Sequence, residues 1–306
     1  MRPRGLCLCG FAAVLAAAAA GAARSAPVPP QDEGPALEII RKEYRWADIN
    51  NTRFHGGPEG STIVDTSRGY RQFTTEILIP VVSLKAAIAS FGIPSAWMRI
   101  VHKGPEDLRV KMAELRARAA PRGIIYKEPV QAFGVDYAWM AKTSRKDVRT
   151  TATGLFEAAR GAGYDDERKV LGLLASFVQS LAYASRTATR IADDGTEIYV
   201  GGVAMPLEAL ATGAGDCDTK CVLLGSLLSH VKGARMILLR GGTHVFAAVR
   251  GVPRPRDRFV RVKNDRYVLV ELTSRWPIGQ VPSENWRSLE ARKLEIVPLI
   301  GFAEDR

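Results

Sequence analysis

In the second half of this chain the apolar residues change period near residue 230, and that change limits what the chain can fold into. From residue 147 up to that point they recur at helical spacing. Residues 165–183 set Val170, Leu173, Leu174, Phe177, Val178 and Leu181 on one broad stripe, and residues 147–160 read the same way. A Gly-rich turn at Gly213 to Gly215 then leads into a further helix from Cys217 to about Ser229. Its apolar content is Val222, Leu223, Leu224, Leu227 and Leu228. Beyond it, short runs of β-formers alternate with turns at 234–239, 244–249, 259–262, 267–272 and 294–299. Helices followed by antiparallel strands predict an α+β fold.

The half before residue 134 is less regular. Residues 81–91 and 105–119 read as helices. In the second, Pro105 suits the first turn, and Leu108, Met112 and Leu115 share a face. Residues 44–80 mix Ile63, Val64, Phe73, Ile77 and Ile79 with Gly and Asn turns, which reads as short strands. A seam near 134 separates residues 27–133, an N-terminal α/β region, from residues 134–306. Residues 27–35 form an extended leader. At the start of the chain, Arg2 and Arg4 precede an uncharged, Ala-rich run from Gly5 to Ala23. Small residues around Ala20-Gly21-Ala22 and Arg24-Ser25-Ala26 offer cleavage sites. This is the layout of a secretory signal peptide over residues 1–26, and it predicts a periplasmic or secreted protein. An uncleaved anchor is the alternative, but Ala is only weakly apolar. No later apolar run is long enough to cross a bilayer, so the mature part is read as not membrane-spanning.

Cleavage takes Arg2, Arg4 and Arg24 out of a formal net charge of +11, and Cys7 and Cys9 out of four cysteines. Cys217 and Cys221 remain, too few for a disulfide framework. With 46% hydrophobic and 25% charged residues the composition is globular and excludes wholesale disorder.

Three residues stand out by placement. Cys217 sits in Gly215-Asp216-Cys217-Asp218, where a Gly-rich turn meets an apolar helix. A helix N-terminus stabilises an anion, and a thiolate is an anion. His244 opens a strand after Gly241-Gly242-Thr243. Glu271 lies near the end of the next long strand, Tyr267-Val268-Leu269-Val270-Glu271. An ionised Glu in an apolar strand needs a partner, and an imidazole on the adjacent strand is one. His244 would take the proton of Cys217, and Glu271 would fix the tautomer of His244. The Cys217 backbone N–H would serve an oxyanion hole. Alternation places His244, Phe246 and Ala248 on one face, and Tyr267, Leu269 and Glu271 on a matching one.

These runs, Gly-Asp-Cys-Asp-Thr-Lys-Cys-Val-Leu-Leu, Gly-Thr-His-Val-Phe-Ala-Ala-Val and Tyr-Val-Leu-Val-Glu-Leu-Thr-Ser, resemble the transglutaminase-like superfamily. The order is the family's: Cys on a helix, His on a strand, and an acid on the next strand before a Thr. The interval from Cys217 to His244 equals that from His244 to Glu271. Residues 177–183 and 205–210 resemble the family's helix and pre-Cys segment. The resemblance covers roughly residues 165–285. It implies a papain-like core, with the Cys at a helix N-terminus packed on an antiparallel sheet carrying His and Glu. It implies a triad of Cys217, His244 and Glu271, with Gln179 assisting the oxyanion hole. The activity implied is peptide hydrolysis, transamidation or deamidation through an acyl-thioester. The substrate would be a protein or peptide, for example of the cell envelope, met by Tyr199 and Trp276. Three departures stand: Glu replaces the more usual Asp, the aromatic after the His is displaced to Phe246, and Cys221 occupies a position that is usually small. The alternatives are an NlpC-type cell-wall peptidase and a non-catalytic scaffold or binding protein that keeps the fold.

Other readings compete at single residues. Cys217 can be a structural thiol, and Cys221 reads as a small buried bystander. A Cys217–Cys221 disulfide is strained at helical spacing. Cys217, Cys221, His230 and His244 offer zinc ligands at a spacing that matches no usual finger. His230 reads as a cap charge at a helix C-terminus, and His55 and His102 as surface or turn residues. Glu271 can instead face solvent on an edge strand. Asp216 and Asp218 favour the helix N-terminus, and calcium can sit there, as in some relatives; no cofactor is required. Asn50-Asn51-Thr52 is a glycosylation sequon. Arg254, Arg256, Arg258, Arg261, Lys263 and Arg266 read as a solvated hairpin, or as a rim that attracts an acidic substrate. With no recognition motif in an exported chain, nucleic acid is not expected as a partner.

Overall fold

The computed structural model describes residues 38–51, 70–241, 244–283, 286–287 and 294–301. The signal peptide, the leader, Ile63, Val64, His55, Thr52 and the Gly242-Thr243 turn lie outside the described residues. Residues 37–306 form one compact unit.

The chain opens with a long antiparallel hairpin, β1 (Ile39–Asp48) and β2 (Arg71–Pro80), paired in register from Ile39↔Pro80 to Asp48↔Arg71. Short strands were expected here. The segment instead makes one ten-residue ribbon, because the inward side chains of β1, Tyr44, Trp46 and Asp48, are all buried. Pro80 then turns the chain into α1 (Val81–Ser90). β3 (Ile93–Pro94) follows, and then α2 (Pro105–Ala119), which has the predicted bounds, with Pro105 in the first turn. A small hairpin, β4 (Ile124–Lys127) and β5 (Ala132–Val135), spans the residue 134 seam.

Five helices come next, interrupted by short strands. Asp136 caps α3 (Tyr137–Ser144) by accepting the Trp139 N–H. α4 (Arg149–Gly161) and α5 (Glu167–Ser180) follow the predicted stripes. α5 stops at Ser180, short of the expected residue 183, because Ala182 and Tyr183 leave it to form β6. β7 (Thr189–Ile191) and β8 (Glu197–Tyr199) join β3 in a three-stranded sheet. α6 (Pro206–Thr212) ends on Gly213, whose φ of +72° is the left-handed conformation glycine adopts without strain. β9 (Ala214–Gly215) pairs in parallel with β6 and delivers the chain to α7 (Cys217–Leu228).

The remaining strands are β10 (Met236–Gly241), β11 (His244–Arg250), β12 (Phe259–Val262), β13 (Asp265–Val270) and β14 (Glu295–Ile300). They form an antiparallel sheet in the order β12-β13-β11-β10-β14. The fold is therefore α+β. α7 lies against this sheet, and apart from Asp218 it is buried along its length. Val245, Ala247, Val249, Val268 and Val270 belong to the core that contains α7. Ile237, Leu239, Phe246, Ala248, Tyr267, Leu269 and Val281 make a second, smaller core. Strand alternation puts the two cores on opposite faces of the sheet.

The β1–β2 ribbon packs on α5. Phe177 meets Tyr44 and Trp46 edge-on, with ring centroids 5.3 and 5.2 Å away. The tip of β1 carries Asp48, which is fully buried. Its carboxylate accepts from Ser176 Oγ at 3.0 Å, Asn51 Nδ2 at 2.7 Å and the Asn50 N–H at 3.0 Å. Removing this acceptor leaves several donors orphaned at once. Asp48→Ala is expected to lower unfolding free energy by about 3 kcal/mol or more. Urea denaturation of the variant against wild type measures it.

Candidate active site

Asp216 sets the start of α7. Its side chain accepts the Thr219 N–H at 3.3 Å, the usual N-cap bond. Gly215 must be small here, since a Cβ would come within 2.7 Å of Thr219 Cγ2. Cys217 is thus the first residue of a buried helix, and it is itself 9% exposed. Its backbone N–H lies in the first turn, where amides have no intrahelical acceptor.

His244 is the first residue of β11 and Glu271 is the first beyond β13. Their side chains meet: His244 Nε2 lies 3.0 Å from Glu271 Oε2. The Cys217 thiol is near enough to the imidazole to act on its protonation. The structure therefore brings His244 and Glu271 into contact, with Cys217 close enough to act on the imidazole. Glu271 is 1% exposed and does not face solvent. Its Oε1 accepts from both the backbone N–H of Thr273, at 2.7 Å, and the Thr273 hydroxyl.

The geometry fixes the charges. Burial works against a protonated His244, but the bonds to Cys217 and Glu271 and their charges outweigh it and raise the imidazole to about 9. Burial likewise pushes the Glu271 carboxyl up, and the bonds to His244 and Thr273 overcome this and hold it below its ordinary range. At neutral pH the pair is imidazolium and carboxylate.

Two expectations about orientation need correction. Alternation would confine both side chains to the face of Phe246, Ala248, Tyr267 and Leu269, which is the small second core. His244 does touch Phe246 edge-on at 4.3 Å, yet it reaches Cys217 because it stands at the very end of its strand. Glu271 was read as part of β13, but the strand ends at Val270 and the chain has begun to turn.

Gln179 is not an oxyanion donor. It is 5% exposed, and its Nε2 donates to the carbonyls of Glu271 and Trp276, each at 2.7 Å. Its Oε1 accepts from Asn50 Nδ2 at 3.4 Å. Both amide hydrogens are spent on clamping the turn that follows Glu271. Asn50, missed as a functional residue, completes the clamp: its Oδ1 accepts the Ile278 N–H at 2.7 Å. Arg168 holds the far side, with Nη1 and Nη2 on Asp257 at 2.7 and 3.0 Å and Nη2 also on the Ile278 carbonyl at 3.3 Å. Asn50 Nδ2 further donates to Gly172 and Ser176, so the sequon asparagine is built into the interior.

The two residues assigned to substrate contact differ. Trp276 is half-buried on the clamped turn, with its carbonyl fixed by Gln179. Tyr199 is half-buried in the small sheet, and its hydroxyl donates to the Phe133 carbonyl at 3.1 Å. Burial raises this phenol and the charge of Arg240 lowers it, so Tyr199 stands on the side of Arg240. Arg240 is the residue before Gly241, and Gly241 is the cross-strand partner of His244.

Beside Cys217, Tyr137 Oη donates to Asp218 Oδ2 at 3.0 Å. Burial, then the bond to Asp216 and its charge, raise Asp218 to about 7. Cys217 and Cys221 are free thiols. Cys221 is buried, with Sγ 3.8 Å from the Val245 carbonyl, and burial pushes its thiol well up. Among the described residues no three His, Cys, Asp or Glu side chains are grouped as a metal site requires. His230 is not the cap charge expected: burial lowers its affinity for a proton, and its Nε2 pairs with the Arg145 carbonyl at 3.0 Å. His102 is exposed.

The six basic residues do not form one rim. Arg261, Lys263 and Arg266 sit near the β12–β13 tip, about 15–20 Å along the strand from Glu271. Arg258 is tied to the Val281 carbonyl at 3.0 Å and lies over Trp286. Among the described residues no helix is long and apolar enough to cross a membrane. Comparison of the chain with protein-family models, with curated proteins and with solved structures finds no match.

The raised His244 makes a prediction with a definite sign. Its folded state holds the proton to about 9 against 6.5 unfolded, so its stabilising contribution is whole below pH 6.5 and is lost as pH rises through 9. His244→Gln should fall furthest below wild type in urea stability at pH 6, with the gap closing between pH 7 and 10. A gap independent of pH would refute the assigned charge state.

Proposed function

We propose that the protein is a cysteine-dependent amide-bond enzyme of the transglutaminase-like kind, with a papain-like core and a Cys217–His244–Glu271 triad. The single observation that carries this reading is the Glu271–His244 hydrogen bond, with the Cys217 thiol at the start of α7 acting on the same imidazole. The helix-on-sheet packing and the order of the three residues along the chain support it as well.

The chemistry follows from these groups. The Cys217 thiolate attacks the carbonyl carbon of a peptide or side-chain amide, and the π pair moves to the oxygen. The Cys217 N–H donates to that oxyanion. As the C–N bond breaks, the His244 imidazolium gives its proton to the departing amine, which leaves an acyl-thioester. His244, now neutral, takes a proton from water or from a second amine as that nucleophile attacks the thioester, and the C–S bond then breaks to return the Cys217 thiolate beside the His244 imidazolium. Water gives hydrolysis or deamidation, and an amine gives transamidation. Throughout, Glu271 keeps the imidazole oriented. Trp276 and Tyr199 are the proposed substrate contacts. The signal-peptide layout read over residues 1–26 supports export, so the substrate would be a protein or peptide of the periplasm, cell envelope or exterior.

Thiol labelling tests the triad. At pH 6, iodoacetamide should modify Cys217 and spare buried Cys221, as read by peptide mass. His244→Ala should slow that labelling by about tenfold or more. Slow, equal labelling of both cysteines, unaffected by loss of His244, would sink the catalytic reading. Peptide-amide substrates incubated with and without a fluorescent primary amine then separate hydrolysis from transfer. Cys217→Ser should abolish both.

A further inference from the structure

Among the described residues three charged side chains are buried: Asp48, Glu271 and Lys220. Asp48 is satisfied by its network and Glu271 by His244 and Thr273. Lys220 is different. It is fully buried, and its ammonium donates to the Leu181 carbonyl at 2.6 Å, at the C-terminal end of α5. A neutral donor could make that bond, and burying an ammonium is costly. The charge needs another reason.

Placement supplies one. Lys220 follows Cys217 by one helical turn and shares its side of α7. The turn after Glu271 is clamped by Gln179, two residues before Leu181. Lys220 thus stands behind the triad, with the Glu271 carboxylate acting on it. Resting on the acyl-transfer reading above, we propose that Lys220 is a positioning residue that balances the charge of the reacting group. With Cys217 as thiolate, His244 as imidazolium and Glu271 as carboxylate, the triad itself carries one excess negative charge, the carboxyls of Asp216 and Asp218 flank Cys217 on α7, and the Lys220 ammonium is the buried cation that offsets this charge. Take the ammonium away and the excess is relieved by proton uptake. Glu271 is held ionised by His244 and Thr273, so Cys217 is the group that takes the proton. The balance of forces on Lys220 agrees with this: burial lowers it to about 8, and the charges of Glu271 and Cys221 pull it back up.

The test uses the full chain and iodoacetamide as probe, with the rate of Cys217 alkylation followed from pH 4 to 9. Lys220→Met removes the charge, Lys220→Gln removes it but keeps an N–H for Leu181, and Lys220→Arg keeps it. The acid limb of the profile should move up by about one pH unit in both neutral variants, a roughly tenfold loss of rate below it. It should stay in place for Lys220→Arg. Thermal unfolding run alongside shows that each variant is folded. A folded neutral variant whose profile superimposes on wild type would overturn the proposal. So would collapse of all three variants, which would assign Lys220 to the fold alone. The underlying triad is judged separately: if His244→Ala leaves Cys217 labelling unchanged, the triad fails. If His244→Ala slows labelling and the neutral Lys220 variants do not, only the role of Lys220 fails.

Discussion

A carboxylate inside an apolar core has to be satisfied, and the structure around Glu271 follows from that requirement. One oxygen takes the His244 imidazole, and the other takes the N–H and hydroxyl of Thr273. An ionised group buried this deeply would otherwise be driven to its neutral form. These three bonds can form only if residues 271–278 hold one conformation. Gln179 fixes that conformation through two carbonyls, Asn50 through the Ile278 N–H, and Arg168 through the Ile278 carbonyl. Asn50 is in turn placed by Asp48 and Ser176. The requirement set at one side chain thus reaches from β13 through α5 to the tip of β1. The N-terminal hairpin is part of the support of the site, because its end supplies the last member of the clamp.

Much of this was legible where the signal is local. The turn and cap at Gly215-Asp216 fix the start of α7, and a proline in the first turn fixes the start of α2. The stripe on α5 and the β-formers of β11 fixed the element type, and both elements are buried on more than the face the pattern marks. Cys217, His244 and Glu271 could be read from placement because each stands at an element boundary, next to turn residues that mark it. What stayed hidden depends on contacts between distant segments. The long β1–β2 pairing is set by inward side chains meeting α5 across more than a hundred residues. Gln179 illustrates the point further: its position beside the site was legible, but not which carbonyls its amide would meet. Those carbonyls belong to a turn whose path depends on Asn50 and Arg168. Lys220 was passed over for a related reason. In an apolar helix a single Lys ordinarily snorkels to solvent, and only the packing of α5 and the sheet against α7 shuts it in.

Overall basicity was a poor guide to the site, and the structure shows why. The positive charges between His244 and Glu271 are dispersed. Three stand near a hairpin tip remote from the triad, and Arg258 is spent on a carbonyl and an indole. Asp257 is taken by Arg168. The charges that matter at the site number few and lie inside, where the local dielectric makes each one count for more. A net charge of +11 describes the surface and the leader far more than it describes the chemistry.

The buried charges also act on stability in opposite directions. His244 binds its proton more tightly folded than unfolded, so its contribution is lost as pH rises through about 9. Lys220 is displaced the other way, to about 8 from 10.5. Between those values the unfolded chain binds more protons at Lys220 than the folded one does, so stability rises with pH. The two windows overlap, and the losses at His244 are offset by gains at Lys220. The desolvation of Lys220 and Glu271 that remains is borne by the apolar packing of α5 and α7 against the sheet, because both side chains are enclosed by the core those elements build.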